Sequence, residues 1–290
     1  MMEFDRATED VGNIVSLEHV NTQIPDQQLA TVFYVMGLGL TRDPYQVVGI
    51  GNMWINAGRC QFHLPTGKPQ VVNGHTAVVM PDRASLLQRL GSVAKLLEGT
   101  RFAFRECNGY VEAICPWGNH IRCYEPDARF GRMMLGMPYV EINVARGAAD
   151  GIARFYREIF AVPATVADEP EGRAARARIG TDQALVFRET DAALPEFDGH
   201  HVAVYLADFS GPHRKLLARK LVTREVNQHE YRVIDITDLE TGKVLAQLEH
   251  EVRSMTHPSY ARALVNRNTS TYSPGNESMS WAVPTKTRVL

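Results

Sequence analysis

The sequence predicts an α+β protein assembled from four copies of one β-α-β-β-β unit, paired into two domains. Three observations carry that prediction. The first is a long-range echo. The stretch Leu17-Glu18-His19-Val20-Asn21 runs on to Phe33-Tyr34, and Tyr139-Val140-Glu141-Ile142-Asn143 runs on to Phe155-Tyr156. In each, 15 residues separate a metal-capable side chain (His19, Glu141) from the tyrosine. A repeat of that length constrains architecture before any local propensity does. The second is a finer repeat. Asn73-Gly74-His75 and Gly199-His200-His201 each open an alternating stretch that ends in Pro81-Asp82 or Ala207-Asp208, a helix-start signal. The third is a set of short β-rich segments after the helices, such as 52–56, 61–65, 109–115 and 184–189.

Taken in order, the units begin near residues 16, 74, 138 and 200, with helices expected after Asp26, over 84–97, around Phe155 and over 211–220. The turn-rich stretch 125–132 is expected to close the first half. Residues 164–178, in which Ala alternates with Glu and Arg, read as a solvated loop or short helix. The resulting division is an N-terminal extension (1–13), a first domain of two units (14–130), a second domain of two units (131–252), and a C-terminal extension and tail (253–290). The segment 268–290, rich in Ser, Thr, Asn and Pro, reads as weakly ordered.

Composition narrows the function. A chain of 290 residues with 44% hydrophobic content and net charge −2 can bury two cores. It has no basic cluster to neutralise phosphates, so nucleic acid is not an expected partner. It has no apolar run of about 18 residues and no hydrophobic leader at its start, so a cytoplasmic protein without a membrane span is expected. Cys60, Cys107, Cys115 and Cys123 form no CxxC pair and read as free thiols. The expected partner is a small-molecule substrate, and exposed sheet edges make a homodimer reasonable.

The opening from Ser16 through His19, Pro25-Asp26, Phe33-Tyr34 and Gly37-Leu38-Gly39-Leu40 resembles the start of a vicinal oxygen chelate module, the superfamily of glyoxalases, bleomycin-resistance proteins and extradiol dioxygenases. Pro116-Trp117-Gly118-Asn119-His120-Ile121-Arg122 is similar to that superfamily's closing strand, and Thr237 to Ala246 is a weaker copy. The resemblance covers about residues 14–250. It implies paired modules whose sheets curl into a cup around one divalent metal, and four modules resemble the extradiol dioxygenase arrangement. It also implies ligands on each module's first strand, with imidazole and carboxylate donors suited to Fe(II) or Mn(II), and Zn(II) or Ni(II) as alternatives.

Carried over residue by residue, His19, His63 and His75 are the candidate ligands of the first domain. Glu141, Glu189 and His201 are those of the second, because His63 and Glu189 each lie 12 residues before the next first-strand histidine. The closing-strand glutamate is missing at both expected places, which hold Arg122 and Ala246. Arg122 is then either a core ion-pair partner or an anion-binding group. Glu249 to Arg262 is dense in titratable groups and reads as lying beyond the last strand. As a lid it would offer Arg253 or Arg262 to a substrate carboxylate and His257 as acid–base catalyst. Trp54 and Tyr205 would be apolar walls. Three functions stay open: a dioxygenase-like metalloenzyme on a small oxygenated, aromatic-type molecule, a glyoxalase-like lyase or isomerase, and a metal-free binding or resistance protein.

Overall fold

The computed structural model describes residues 5–46, 49 and 51–267. The segment 268–290 expected to be weakly ordered lies outside the described residues.

Each unit is a β-α-β-β-β copy. The first comprises β1 (Ile14–Asn21), a short α1 (Gln27–Ala30) that widens into a π-helical turn over Thr31–Gly37, and strands β2 (Thr41–Arg42), β3 (Asn52–Ala57) and β4 (Cys60–Pro65). The second comprises β5 (Gly74–Val79), α2 (Arg83–Val93), β6 (Ala103–Cys107), β7 (Tyr110–Ile114) and β8 (His120–Tyr124). The third comprises β9 (Tyr139–Ala145), α3 (Ala149–Phe160), β10 (Ala164–Glu169), β11 (Gly172–Arg178) and β12 (Ala184–Thr190). The fourth comprises β13 (His201–Leu206), α4 (Ser210–Ala218), β14 (Val222–Asn227), β15 (Glu230–Thr237) and β16 (Val244–Ser254). Helix starts follow the capping chemistry legible in the chain. Asp26 accepts from the N–H groups of Gln28 and Leu29, and Asp82 from that of Ser85.

Residues 164–178 form the β10–β11 hairpin rather than a loop or helix. Its alanines are strand residues. Ala175 and Ala177 lie on one face of β11 within the core, and their small side chains let α3 lie against β10 and β11.

The units combine differently from the division at residue 130. One eight-stranded sheet runs β14-β15-β16-β13-β1-β4-β3-β2 and the other β10-β11-β12-β9-β5-β8-β7-β6. The first unit therefore shares a sheet with the fourth, through antiparallel β1 and β13, and the second with the third, through antiparallel β5 and β9. Within every unit the first strand runs parallel to the last and leaves its other edge open. All four open edges are equivalent, so the repeat alone does not choose partners. The 125–138 connection chooses. Instead of separating domains it stays inside the second sheet: Val79 bridges to Gly136, and Phe130 packs with Ala77, Val79 and Tyr124.

Helix α3 packs against β10, β11 and β12 of one sheet and against β15 and β16 of the other. Eight of its residues are buried. Tyr156 donates its hydroxyl proton to His250 Nε2 on β16 at 2.6 Å. His250 thus faces the helix, which leaves its neighbours Glu249 and Glu251 to face the opposite, concave side. Among the described residues no helix is long and apolar enough to cross a membrane. The four cysteines are unpaired.

Candidate metal centre

The strand register sets out one geometric rule in all four units. The side chain of interest on the closing strand lies beside the residue two positions after the one on the first strand. His63 pairs with Asn21, two past His19, and Arg122 with Ala77, two past His75. Arg188 pairs with Asn143, two past Glu141, and Glu251 with Ala203, two past His201. Each sheet therefore presents four equivalent positions. The cup of the first sheet carries His19, His63, His201 and Glu251. The second carries His75, Arg122, Glu141 and Arg188.

This overturns the expected groupings. His19 does not meet His75, nor Glu141 meet His201. His19 Nε2 lies 3.4 Å from His201 Nε2, and His75 Nδ1 lies 3.7 Å from Glu141 Oε1. Glu189 is in neither cup. Its carboxylate accepts from Ala149 N–H at 2.9 Å and caps α3 on the other face. The counterpart of His63 is Arg188, one residue earlier, because side chains alternate faces along a strand. Glu251 escapes the sequence reading. Counting from Gly242 puts the closing glutamate at Ala246, but β16 is 11 residues long and its ligand position falls near its end.

The first cup converges on three donors. Glu251 Oε2 lies 3.2 Å from His201 Nε2 and 4.0 Å from His19 Nε2. The register shift between Leu17 and His19 is a bulge in β1 that leaves Glu18 without a ladder partner and lets it share the buried face with His19. Glu18 Oε2 sits 3.3 Å from His19 Nδ1, a close charge contact, although that nitrogen has no hydrogen-bond partner among the described residues. One ring nitrogen of His63 completes a set with His19 and His201 within 4.8 Å. His63 is stacked on Trp54, with ring centres 3.7 Å apart, and both its nitrogens are bonded to Asn21 and Asn52. Burial, with His19 and His201 nearby, depresses the His63 pKa to about 2. Burial also depresses that of His201. Burial alone would raise Glu251, but the hydrogen bond from His201 and the charges of Arg253 and Arg232 hold it far below the usual carboxylate range.

The dense C-terminal stretch divides in two. Through Ser254 it is strand β16, so Arg253 is not a lid residue. It is buried in the cup, paired with Glu18, Glu230 and Glu251. From Met255 the chain leaves the sheet and crosses to β2 and β3. Arg262 Nη2 bonds Asp43 and Gln46 at 2.9 and 2.8 Å, and Arg262 is committed to that clasp rather than free for a substrate. Asn266 exchanges bonds with the Gly58 backbone, and Arg267 N–H donates to Thr41. Tyr260 lies edge-on to Tyr205 at 4.9 Å, and His257 Nε2 is 4.0 Å from Glu230. Trp54, Tyr205 and His257 all border the first cup.

The second cup is built otherwise. His75 Nε2 bonds Tyr139 Oη at 3.1 Å, and Tyr139 Oη bonds Tyr124 Oη at 2.8 Å. Arg188 Nη2 donates to Glu141 at 2.9 Å and Glu169 at 2.7 Å, while Arg122 Nη1 donates to Glu171 at 3.1 Å. Burial with Arg122 and Arg188 nearby lowers the His75 pKa to about 3.

No family model matches the sequence, and no curated protein matches it. Solved structures do match. A dioxygenase candidate from Bacillus subtilis superposes with a TM-score of 0.55 at 17% identity, covering 96% of this chain and 99% of its own. Glyoxalase I from Zea mays superposes at 0.59 with 14% identity, covering 87% of this chain and 95% of its own. The chain has the vicinal oxygen chelate fold.

Whether a divalent ion suits either cup of this vicinal oxygen chelate scaffold follows from spacing and charge. Donors held at about 2.0–2.2 Å and at right angles around one ion lie roughly 3 Å apart. The His19, His201 and Glu251 triangle, at 3.4, 3.2 and 4.0 Å, is close to that size. The ion-paired network around it sets four carboxyl groups (Glu18, Glu230, Glu249, Glu251) against two guanidiniums (Arg232, Arg253), an excess of two negative charges with all four ionised, and burial together with the Glu251 charge pushes the Glu230 pKa up. A divalent cation neutralises that excess. The second cup's network sets Glu141, Glu169 and Glu171 against Arg122, Arg176 and Arg188, three against three, and two of its four positions are guanidiniums that cannot ligate a metal. The first cup fits a divalent ion and the second does not.

Proposed function

We propose that the protein is a divalent-metal enzyme acting on a small oxygenated, aromatic-type molecule, with dioxygenase-like chemistry in the first cup. His19, His201 and Glu251 would hold the ion. The observation that carries this reading is the 2-His-1-carboxylate triangle, a donor set that leaves adjacent positions open and suits Fe(II) or Mn(II). When bound, such an ion supplies a site where two neighbouring substrate oxygens and dioxygen meet. The chain's own groups supply the rest. Glu18 lies beside the other ring nitrogen of His19, placed to compensate charge as the ring ligates through Nε2. Trp54, stacked on His63, and Tyr205 form walls for a flat ring. His257 is the proposed acid–base group beside the cup, acting as a proton donor: its Nδ1 accepts from Ser259 N–H, so the neutral ring carries its proton on Nε2, and burial and the Arg253 charge lower its pKa. The strap beyond it, from Pro258 to Arg267, is tied to β2 and β3 at the side of the cup.

The glyoxalase-like alternative has one observation in its favour: His63 stands at a fourth ligand position. Against it, both His63 nitrogens are already bonded to asparagines. The test is metal analysis of the purified chain together with oxygen uptake on a catechol panel. Stoichiometric iron or manganese with catechol-dependent oxygen consumption supports the proposal. Zinc or nickel with no oxygen uptake would transfer it to the lyase reading.

A further inference from the structure

The second cup occupies the same four scaffold positions as the first, yet its chemistry is that of an anion receptor. Arg122 and Arg188 stand at the two closing-strand positions. A single carboxylate oxygen already lies between them. Glu171 Oε2 is 3.1 Å from Arg122 Nη1 and 3.9 Å from Arg188 Nε. Glu171 belongs to the Pro170–Glu171 turn of the β10–β11 hairpin, and its side chain is 51% exposed. It reaches into the cup from outside. Arg188, only 7% exposed, keeps its Nε without a hydrogen-bond partner, and so does Arg122. A buried guanidinium N–H left unsatisfied costs free energy that an incoming acceptor recovers.

The surroundings have room for more than a carboxylate. Two hollows of about 770 and 730 Å³ meet at Arg122 and Glu141, within the range that holds small ligands. Tyr124, Tyr139 and Phe130 give the second hollow an aromatic wall. The Arg122 guanidinium lies 5.1 Å over the Tyr110 ring, which fixes its plane.

We propose that the second cup is a metal-free binding site for a small organic carboxylate with an apolar body, which bridges Arg122 and Arg188 in the place that the Glu171 carboxylate now fills. Guanidinium fixes a carboxylate through directional paired bonds, and the aromatic wall receives the body of the ligand. Glu171 is an internal competitor, a tethered carboxylate that a ligand displaces. Its exposure makes displacement inexpensive, because an exposed ion pair contributes little. This site goes beyond the metal reading of the first cup and does not depend on it.

The test uses the full chain stripped of metal with a chelator, so that the first cup cannot hold a carboxylate through an ion. Benzoate is titrated by calorimetry. Saturable 1:1 binding is expected. Glu171→Gln removes the competitor and should tighten benzoate by about three- to fivefold. Arg122→Gln should weaken it by about tenfold or more. His201→Gln, in the other cup, should leave it unchanged. Glu171 is a turn residue at the surface, so its variant keeps the test decisive even if the Arg122 variant folds poorly. Absence of saturable benzoate binding in Glu171→Gln would overturn the proposal, as would binding that survives Arg122→Gln. Inorganic phosphate binding as tightly as benzoate would overturn the carboxylate class.

Discussion

Replacing Glu251 by Gln tests the metal centre through stability as well as content. The side chain is 3% exposed and lies between His201 and two arginines. Glutamine keeps the shape and an acceptor oxygen for the arginines. It removes the one charged donor of the triangle and cuts the network's excess negative charge from two to one. In the chelator-stripped wild type, adding Mn(II) to about 100 times its dissociation constant should stabilise the fold by about 2.7 kcal/mol. For a chain of this size that corresponds to a rise in Tm of roughly 5–10 °C. The same addition to Glu251→Gln should produce a rise of about 2 °C or less, with substoichiometric metal by elemental analysis. His201→Gln should behave likewise. His75→Gln and Glu141→Gln should retain the full rise, since both lie in the cup whose charges already balance. A full shift in Glu251→Gln, or its loss in His75→Gln, would refute the assignment of the ion to the first cup.

Two further outcomes rest on burial. Arg253→Ala should destabilise the fold by about 3–5 kcal/mol in denaturant titration, because it leaves Glu18 and Glu251 buried without their cation. A change under about 1 kcal/mol would instead mark an exposed lid residue. His250 is fully buried, donates Nδ1–H to Leu248 and accepts from Tyr156, and burial lowers its pKa from 6.5 to about 4. Between those two values the unfolded chain binds a proton that the folded chain refuses. Stability is therefore complete above about pH 6.5 and falls as pH drops toward 4, with roughly 3 kcal/mol of that loss due to this ring. His250→Gln, compared with wild type at pH 7 and pH 4.5, should show a shallower decline, and an unchanged decline would remove His250 from the account.

The fold was legible because a four-fold repeat announces itself in spacing, and first-strand residues such as His19 and His201 stand at the same phase of each copy. The partnering of the units was not legible, because identical edges carry no address. The selection of β5 for β9 comes from the packing of Phe130 and the bridge at Gly136, in a stretch that looks in sequence like any polar turn. The site was half legible for a related reason. First-strand ligands can be counted from a local motif, whereas a closing-strand ligand depends on where the strand begins. In the second unit the strand starts just past Gly118, and the count lands on Arg122. In the fourth, β16 is long, and Glu251 sits nine residues past Gly242 rather than four. A parity check would have found it. Glu249, Glu251 and Arg253 alternate with the apolar or inward-bonded Leu248, His250 and Val252, which is a strand with one charged face.

That charged face also explains how one scaffold supports two opposite sites. Both sheets place four polar side chains, buried or half-buried, at equivalent points, and a buried charge is tolerable only when it is compensated. In the first cup the carboxyl groups outnumber the guanidiniums by two among the linked side chains, and the donors are imidazoles around one carboxylate. A divalent ion is the missing partner that such a set calls for. In the second cup two of the same positions are guanidiniums, and the cations that a metal would have supplied are part of the chain. Arg188 takes over the neutralisation of Glu141, at 2.9 Å, so the glutamate persists without an ion. Arginine in place of a ligand turns the cup's preference from a cation to an anion while the strand order and the four closing- and first-strand positions stay the same. Exchanging the closing-strand residues should therefore move the preference with them. A chain carrying both Arg122→Glu and Arg188→His would hold two imidazoles and two carboxylates at the four points of the second cup, with His75 and Glu141 supplying one of each. That double variant should bind about one additional Mn(II) per chain and lose its benzoate site. Unchanged metal stoichiometry in a folded double variant would show that side-chain identity at these four positions is insufficient, and that the differing register where β5 meets β9, with His75 directly opposite Glu141, holds the donors too far apart.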